Sequence, residues 1–339
     1  MLRKAIIQGR IEYGTAKSFA QAVKMYEYRA ENYHKSDALF EIEEIFFEET
    51  FTLEIPRYVK QVYDKTFRNT VALLEYCTQF GVAGEIDAWL IDEGKVIKFD
   101  HFEPNSDKVV VQRFLKGKAL IGQEGQEEKA IEHFTKAIEK YDKHSQAYQR
   151  RAKVNRILKK NHDAIRDYNK SITADSTNPF AYYGRSKVHL INEDVELAIE
   201  DLEHAIKKSV ALQPVYWKSR RVKGKCHFDL KQYEKAAFDF KLFNNRKFDK
   251  DNPNIPWKRY VAFYYGETLV GQEEYEAAIE LYEHAMSLPP SPTNIEDAEL
   301  LTRMGFAKWK AGKNGYIKDW TDAAALGNKT AKKLLKENS

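Results

Sequence analysis

Two cysteines in 339 residues, Cys77 and Cys226, are too few for a disulfide framework or a four-ligand zinc site. No run of about 18 apolar residues occurs, so no transmembrane helix is expected. Met1 to Arg10 carries basic side chains but no apolar core of about seven residues, which is unlike a secretory signal. Neither sign of charge dominates. The 55 Lys and Arg against 51 Asp and Glu leave +4, which calls for neither nucleic acid nor membrane. Proline (9) and glycine (16) are modest and aromatics reach 13%, so the chain is not low-complexity. The expectation is a cytoplasmic globular chain with no membrane partner.

Catalytic motifs are equally scarce. There is no HExxH pair, no GxGxxG or P-loop, and no GxSxG. Among nine histidines, His133, His204 and His284 read as packing or surface groups rather than metal ligands. Cys226 and His227 are adjacent and diverge on a helix, unlike a nucleophile and its base. Asp87, Asp92 and Asp100 read as strand-edge and turn residues. No catalytic residue, cofactor or metal is expected.

What the sequence does contain is a repeat. Segments 129–138, 163–172 and 197–206 align without gaps, and Ala130, Ala164 and Ala198 lie 34 residues apart. In each, the small residue is followed four later by a ring or Leu (Phe134, Tyr168, Leu202). Three later again comes Ala or Ser, and then Ile. Such spacings keep these side chains on one helical face. A second small residue stands twelve before the first: Ala152 before Ala164, Ser186 before Ala198, Gly224 before Ala236, Gly266 before Ala278. The pairs predict closely packed antiparallel helices. Phe134, Tyr168, Leu202, Phe240 and Tyr282 are expected to fill the seam against the next hairpin. No hairpin buries its apolar face alone, so stacking must supply the core.

These spacings resemble the tetratricopeptide repeat (TPR) family over about 108–336. The resemblance implies units near 108–144, 145–178, 179–212, 213–258 and 259–292. A degenerate sixth at 295–336 carries Gly305, Trp309 and Trp320 and ends in a capping helix. One extra residue stands between Gly117 and Ala130, and the interval grows to 38 from Ala198 to Ala236 and 42 from Ala236 to Ala278. The last interval holds Asn252-Pro253-Asn254-Ile255-Pro256, a loop signal. The expected fold class is mainly α: a TPR α-solenoid behind a small α+β domain.

That domain, 1–105, carries no 34-residue register, and no family is recognised in it. Phe19, Val23 and Tyr26 share a helical face. The stretch 36–47, beginning at Ser36, is acidic and aromatic, with Glu48 and Glu49 following. Val59, Val62, Tyr63, Phe67 and Val71 predict a helix over 56–79 opened by Pro56. Alternation in 85–92 and 96–102 around Asp92-Glu93-Gly94-Lys95 predicts a β-hairpin, and 51–55 a short third strand.

The resemblance also implies a binding face, formed by first helices at offsets −6, −3, −2, +1 and +4 from each small residue. In the second unit these give Gln146, Gln149, Arg150, Lys153 and Arg156; in the third, Tyr183 and Lys187. The fourth presents Lys218, Arg221 and Lys225, and the fifth Tyr260, Phe263, Tyr264 and Glu267. Neither 146–160 nor 216–225 contains an acid. The expected partner-binding residues are Gln149, Arg150, Lys153, Tyr183, Lys187, Arg221, Lys225, Phe263 and Tyr264. Their partner would be a protein, through an acidic or extended segment. The plainer alternative is a solvated basic helix. Single-stranded nucleic acid, which stacks on aromatics between phosphate contacts, is a further reading. So is an activity housed in 1–105, with the repeats as a targeting arm. The TPR clamp for acidic chaperone tails is absent, since Lys118, Arg150, Phe180 and Gly184 stand where its Asn, Lys and Arg are needed. An intramolecular alternative places the acids between 41 and 49 against the basic face.

Overall fold

Ala5, Ile7 and Ile11 alternate inward along β1 (Leu2–Glu12), which is the middle strand of a five-stranded sheet and went unread in the sequence. The reason is Gly9, which interrupts the alternation. A Cβ there would lie 2.2 Å from the Glu85 carbonyl oxygen, so the close crossing of β1 and β4 requires glycine. The structure, a computed structural model, describes residues 1–35 and 37–338; Ser36, where the acidic stretch begins, and Ser339 lie outside the described residues. The chain divides into two units, Met1–Asn178 and Pro179–Ser339.

In the first unit the other strands are β2 (Phe46–Phe47), β3 (Thr52–Tyr63), β4 (Ala83–Asp92) and β5 (Lys95–Phe102). Their order is β2-β3-β1-β4-β5 and every neighbouring pair is antiparallel. Helices α1 (Ala16–His34), α2 (Ile42–Ile45) and α3 (Asp64–Thr78) accompany the sheet. Phe19 and Tyr26 of α1 and Phe67 and Leu74 of α3 share one core with Ile7, Ile11, Ile86 and Leu90. The expected hairpin is present as β4 and β5, turning at Glu93 and Gly94, both with positive φ.

The helix expected over 56–79 is corrected. β3 runs through Pro56 to Tyr63, and only Asp64–Thr78 is helical. Register jumps from Ile7 opposite Tyr58 to Gly9 opposite Ile55, so Gln8 faces two residues, Pro56 and Arg57. Proline is tolerated at such a bulge because it interrupts the regular ladder. The helical spacing of Val59, Val62 and Tyr63 misled, since Val59 and Tyr63 are exposed.

Two helical hairpins complete this unit: α4 (Val109–Leu120) with α5 (Glu127–Lys140), and α6 (Ser145–Ile157) with α7 (Asn161–Ala174). Polar contacts tie the first of them to the sheet and the segment after it: Tyr141 Oη donates to Glu12 Oε2 of β1 at 2.7 Å, and Lys118 Nζ reaches both oxygens of Glu103, just after β5, at 2.7 Å.

The second unit holds α8 (Pro179–Ile191) with α9 (Val195–Lys208), and α10 (Pro214–Asp229) with α11 (Tyr233–Asn245). It continues with α12 (Lys258–Gly271) and α13 (Tyr275–Ser287), then α14 (Asp297–Lys310) and α15 (Tyr316–Ala325), and ends on α16 (Lys329–Glu337). Each large side chain lies over the small residue of its own hairpin. A Cβ at Gly117, Gly224, Gly266 or Gly305 would come within 2.6–2.8 Å of Phe134, Phe240, Tyr282 or Trp320. The expected seam against the next hairpin is thus also a seam within each hairpin.

Two further regularities emerge. Seven residues after the small position the turn takes a left-handed residue: Lys159, Glu193, Lys231, Glu273 and Gly312. On the second helix, Asp167, Asp201 and Asp239 are almost fully buried and paired with Arg151, Arg185 and Arg220 at 2.6–2.7 Å. Buried carboxylates persist only when paired and hydrogen-bonded in this way.

Gly266→Ala would drive a methyl to 2.7 Å from the fully buried Tyr282 ring. It should destabilise by about 1–3 kcal/mol despite alanine's better helix propensity, and urea denaturation would show it; an unchanged midpoint would mean the ring moves freely. His144, the N-cap of α6, accepts at Nδ1 from the Ala147 amide and lies 4.7 Å from the Phe114 ring centre. Burial pushes its pKa down to about 3. The unfolded chain therefore binds the extra proton between pH ~6.5 and ~3, and the folded chain does not. Stability is full above that window and falls as pH drops through it, by up to about 1.4 kcal/mol per pH unit from this group. His144→Asn, which keeps an N-cap acceptor, should remove one proton from that slope in pH-dependent denaturation.

Candidate functional site

In the first unit the basic face is that of α6. His144 begins the helix, and the small Ala152 seats it against α7. Arg151 is turned to Asp167 by two hydrogen bonds of 2.8 and 2.7 Å, so this charge belongs to the hairpin. Gln149 is buried, whereas Arg150, Lys153 and Arg156 are half-buried.

The first turns of α6 meet β4. Gln146 Oε1 accepts from the Gly84 amide at 2.7 Å, and its Nε2 approaches Glu85 Oε2 at 3.4 Å. Burial and the neighbouring Asp87 raise the Glu85 pKa, while His101 and Arg150 lower it. His101 Nδ1 lies 2.7 Å from Asp87 Oδ1, and that bond raises the imidazole pKa. The acids beside the first turns of α6 are therefore on β4. Those between 41 and 49 lie elsewhere: Glu41 and Glu44 form the capping box of α2, at the β2–β3 end of the sheet.

In the second unit three first helices carry the remaining expected residues. Tyr183 and Lys187 of α8 are half-buried, with Tyr183 packed beside Leu202, Val222 and Cys226. On α10, Arg220 goes to Asp239 and its neighbour Arg221 points the other way. Arg221 is only 8% exposed, and its guanidinium carbon sits 3.5 Å from the Trp257 ring centre and 5.7 Å from that of Tyr260. Among the described residues no carboxylate pairs with Arg221, and its buried Nε has no hydrogen-bond partner. Burial lowers its pKa, and the Tyr183 and Tyr260 phenols oppose that shift. Lys218, one turn earlier, is also lowered by burial and by Arg221. Lys225, one turn later, pairs with Asp229 at 2.7 Å, its ammonium 4.9 Å from the Tyr264 ring centre.

α12 presents an aromatic ladder: Tyr260 and Tyr264 centres are 4.6 Å apart, Phe263 and Tyr264 5.1 Å, and Phe228 of α10 lies 5.4 Å from Tyr264. Phe263 is buried and belongs to the core with Tyr282. Beyond the ladder a cavity of about 580 Å³ has Phe228, Phe263 and Tyr264 on its wall together with Glu267, Glu299 and Arg303.

Sequence reasoning missed Trp257, which the long loop before α12 delivers onto Arg221. The loop is anchored by buried Asn254, whose Nδ2 donates to the Pro214 carbonyl at 3.3 Å, and closes in a 3₁₀ turn, Ile255–Trp257. The 42-residue interval and the Asn252–Pro256 run signalled the loop but not the contact its tryptophan makes. The arrangement suits recognition of charge and aromatic surface more than bond chemistry. The Cys226 thiol is pushed up to about 11 by burial, and His227 bonds Gln232 at 2.8 Å instead. No three His, Cys, Asp or Glu side chains converge as a metal site among the described residues, and no described helix is long and apolar enough to cross a membrane.

Comparison with known proteins agrees with this geometry. The tetratricopeptide repeat model matches residues 265–292, from the middle of α12 through α13. No curated protein matches the chain. Among solved structures it is similar to YrrB, a TPR protein with an unusual peptide-binding site. That similarity has a TM-score of 0.52 and 18% identity over 61% of this chain and 99% of YrrB. It is similar also to PilF of Pseudomonas aeruginosa, with TM-score 0.52 and 18% identity over 68% of this chain and 99% of that one. These likenesses concern the fold: after an N-terminal sheet the chain carries helical hairpins similar to those of tetratricopeptide repeat proteins, and one stretch, 265–292, matches the repeat itself.

Proposed function

We propose that the chain is a cytoplasmic, non-enzymatic scaffold that docks an extended, acidic segment of a protein partner on the first-helix faces of its repeats. In the second unit Lys218 and Arg221 receive the carboxylates, with Tyr183, Lys187, Lys225 and Tyr264 flanking them. In the first unit Arg150 and Lys153 of α6 offer a separate basic surface; Gln149 and Phe263 act by holding their helices in place. The observation that carries the reading is Arg221, a nine-tenths buried guanidinium held by an indole face, with no carboxylate paired to it among the described residues. Such burial costs several kcal/mol, of which a cation–π contact returns about 2. An arriving carboxylate relieves the remainder by accepting directional hydrogen bonds from the guanidinium N–H groups. Reduced, buried Cys77 and Cys226 suit a reducing compartment, and the peptide-binding site of YrrB is in keeping with the same use of the fold.

The test uses an acetylated Glu-rich, glycine-spaced peptide and the full chain. Lys218→Glu with Lys225→Glu should weaken binding at least tenfold, leave the circular-dichroism melt near its original midpoint, and match the weakening seen as salt rises. Unchanged affinity would refute the assignment of α10. Tighter binding of a thymidine oligonucleotide than of the peptide would favour nucleic acid instead.

A further inference from the structure

The cavity beside α12 has the opposite electrostatic character from α10. Glu267, Glu296 and Glu299 face it, with Arg303 as the single cation among its lining residues. Each carboxylate is held differently. Glu267 accepts from Tyr282 Oη at 2.6 Å, and burial raises its pKa. Glu299 accepts from Arg303 Nε at 2.7 Å and from Asn328 Nδ2 at 3.2 Å. Glu296 accepts only from Asn294 Nδ2, at 3.0 Å, and meets no cation among the described residues. The site is thus left negative after Arg303 is counted.

Two features of the cavity indicate what it accepts. Arg303, half exposed, already spans Glu299 and Glu267, reaching the latter at 3.6 Å, so the carboxylates are spaced for a guanidinium. The Tyr264 ring already carries a cation on its face, the Lys225 ammonium at 4.9 Å. Carboxylates beside aromatic faces fit a planar guanidinium better than a compact ammonium, because the plane stacks while its edge forms paired hydrogen bonds. We propose that this cavity seats an arginine side chain of the docked segment, its guanidinium on Glu296 and Glu299 and its plane against Tyr264. The proposal rests on the peptide-docking reading and refines it: the preferred segment is bipolar, acidic where it crosses α10 and cationic where it reaches α14.

Three acetylated heptapeptides of Gly, Ser and Ala, with Arg, Lys or citrulline at the centre, test this by calorimetry on the full chain. The arginine peptide should bind at least tenfold more tightly than its neutral citrulline isostere and about threefold more tightly than the lysine one. Glu296→Gln, at an exposed position, should weaken the arginine peptide about threefold, and Glu296→Gln with Glu299→Gln about tenfold, with the citrulline peptide unaffected. Equal binding of arginine and citrulline peptides, no binding of either, or indifference to Glu296→Gln overturns the proposal. The acidic peptide keeps the two readings separable. If it binds while the arginine peptide does not, the cavity assignment alone fails. If the arginine peptide binds while Lys218→Glu with Lys225→Glu spares the acidic one, the α10 assignment alone fails.

Discussion

The contact of an aromatic ring with a bare helix backbone sets the geometry of the array. With no Cβ at Gly117, Gly224, Gly266 or Gly305, the paired helices close until Phe134, Phe240, Tyr282 or Trp320 touches main chain. Burying each such ring is worth about 1.5–3 kcal/mol, and the contact also fixes the distance and rotation of the two helices. The Arg–Asp pairs of three hairpins then lock that rotation with directional hydrogen bonds. Side chains on the opposite side of each first helix inherit fixed positions without having to pack for themselves.

This division of labour explains why counting charge along a helix overstates a binding face. α6 and α10 are rich in cations and free of internal acids over most of their length, yet Arg151 and Arg220 are consumed by aspartates from the partner helix. Lys223 also turns to Asp239, at 3.4 Å. Adjacent residues on a helix point about 100° apart, so Arg220 and Arg221 serve different surfaces although they are neighbours in sequence. What remains on the outward stripe of α10 is a smaller set in which Arg221 is distinguished by having an indole in place of a carboxylate.

Helical spacing made the repeats legible, because small and large residues recur at intervals that only a helix pair satisfies. The sheet was harder to read for local reasons. β1 hides its alternation behind Gly9, and β3 hides behind a proline that happens to sit at a bulge. The β4–β5 hairpin was readable because its turn chemistry is local. The offsets put the candidate residues on first helices of hairpins, but burial at Gln149, Arg221 and Phe263 depends on partners distant in sequence. Trp257 is the clearest case, since no periodicity governs a loop and only its contact with Arg221 gives it meaning.

The turn residues have a corollary for how such hairpins tolerate changes of length. From Ala152 to Tyr168, Ser186 to Leu202, Gly224 to Phe240 and Gly266 to Tyr282 the count is 16, and each turn uses one left-handed residue that is not glycine. The first hairpin counts 17 from Gly117 to Phe134 and the last 15 from Gly305 to Trp320. Both of these place two glycines in left-handed backbone, Gly122 with Gly125 and Gly312 with Gly315. A one-residue miscount would rotate the second helix by about 100°, and paired glycines unwind that error before the ring must land. Insertions inside a hairpin thus demand compensating glycines, whereas those between hairpins, such as the loop carrying Trp257, are free to acquire new side chains.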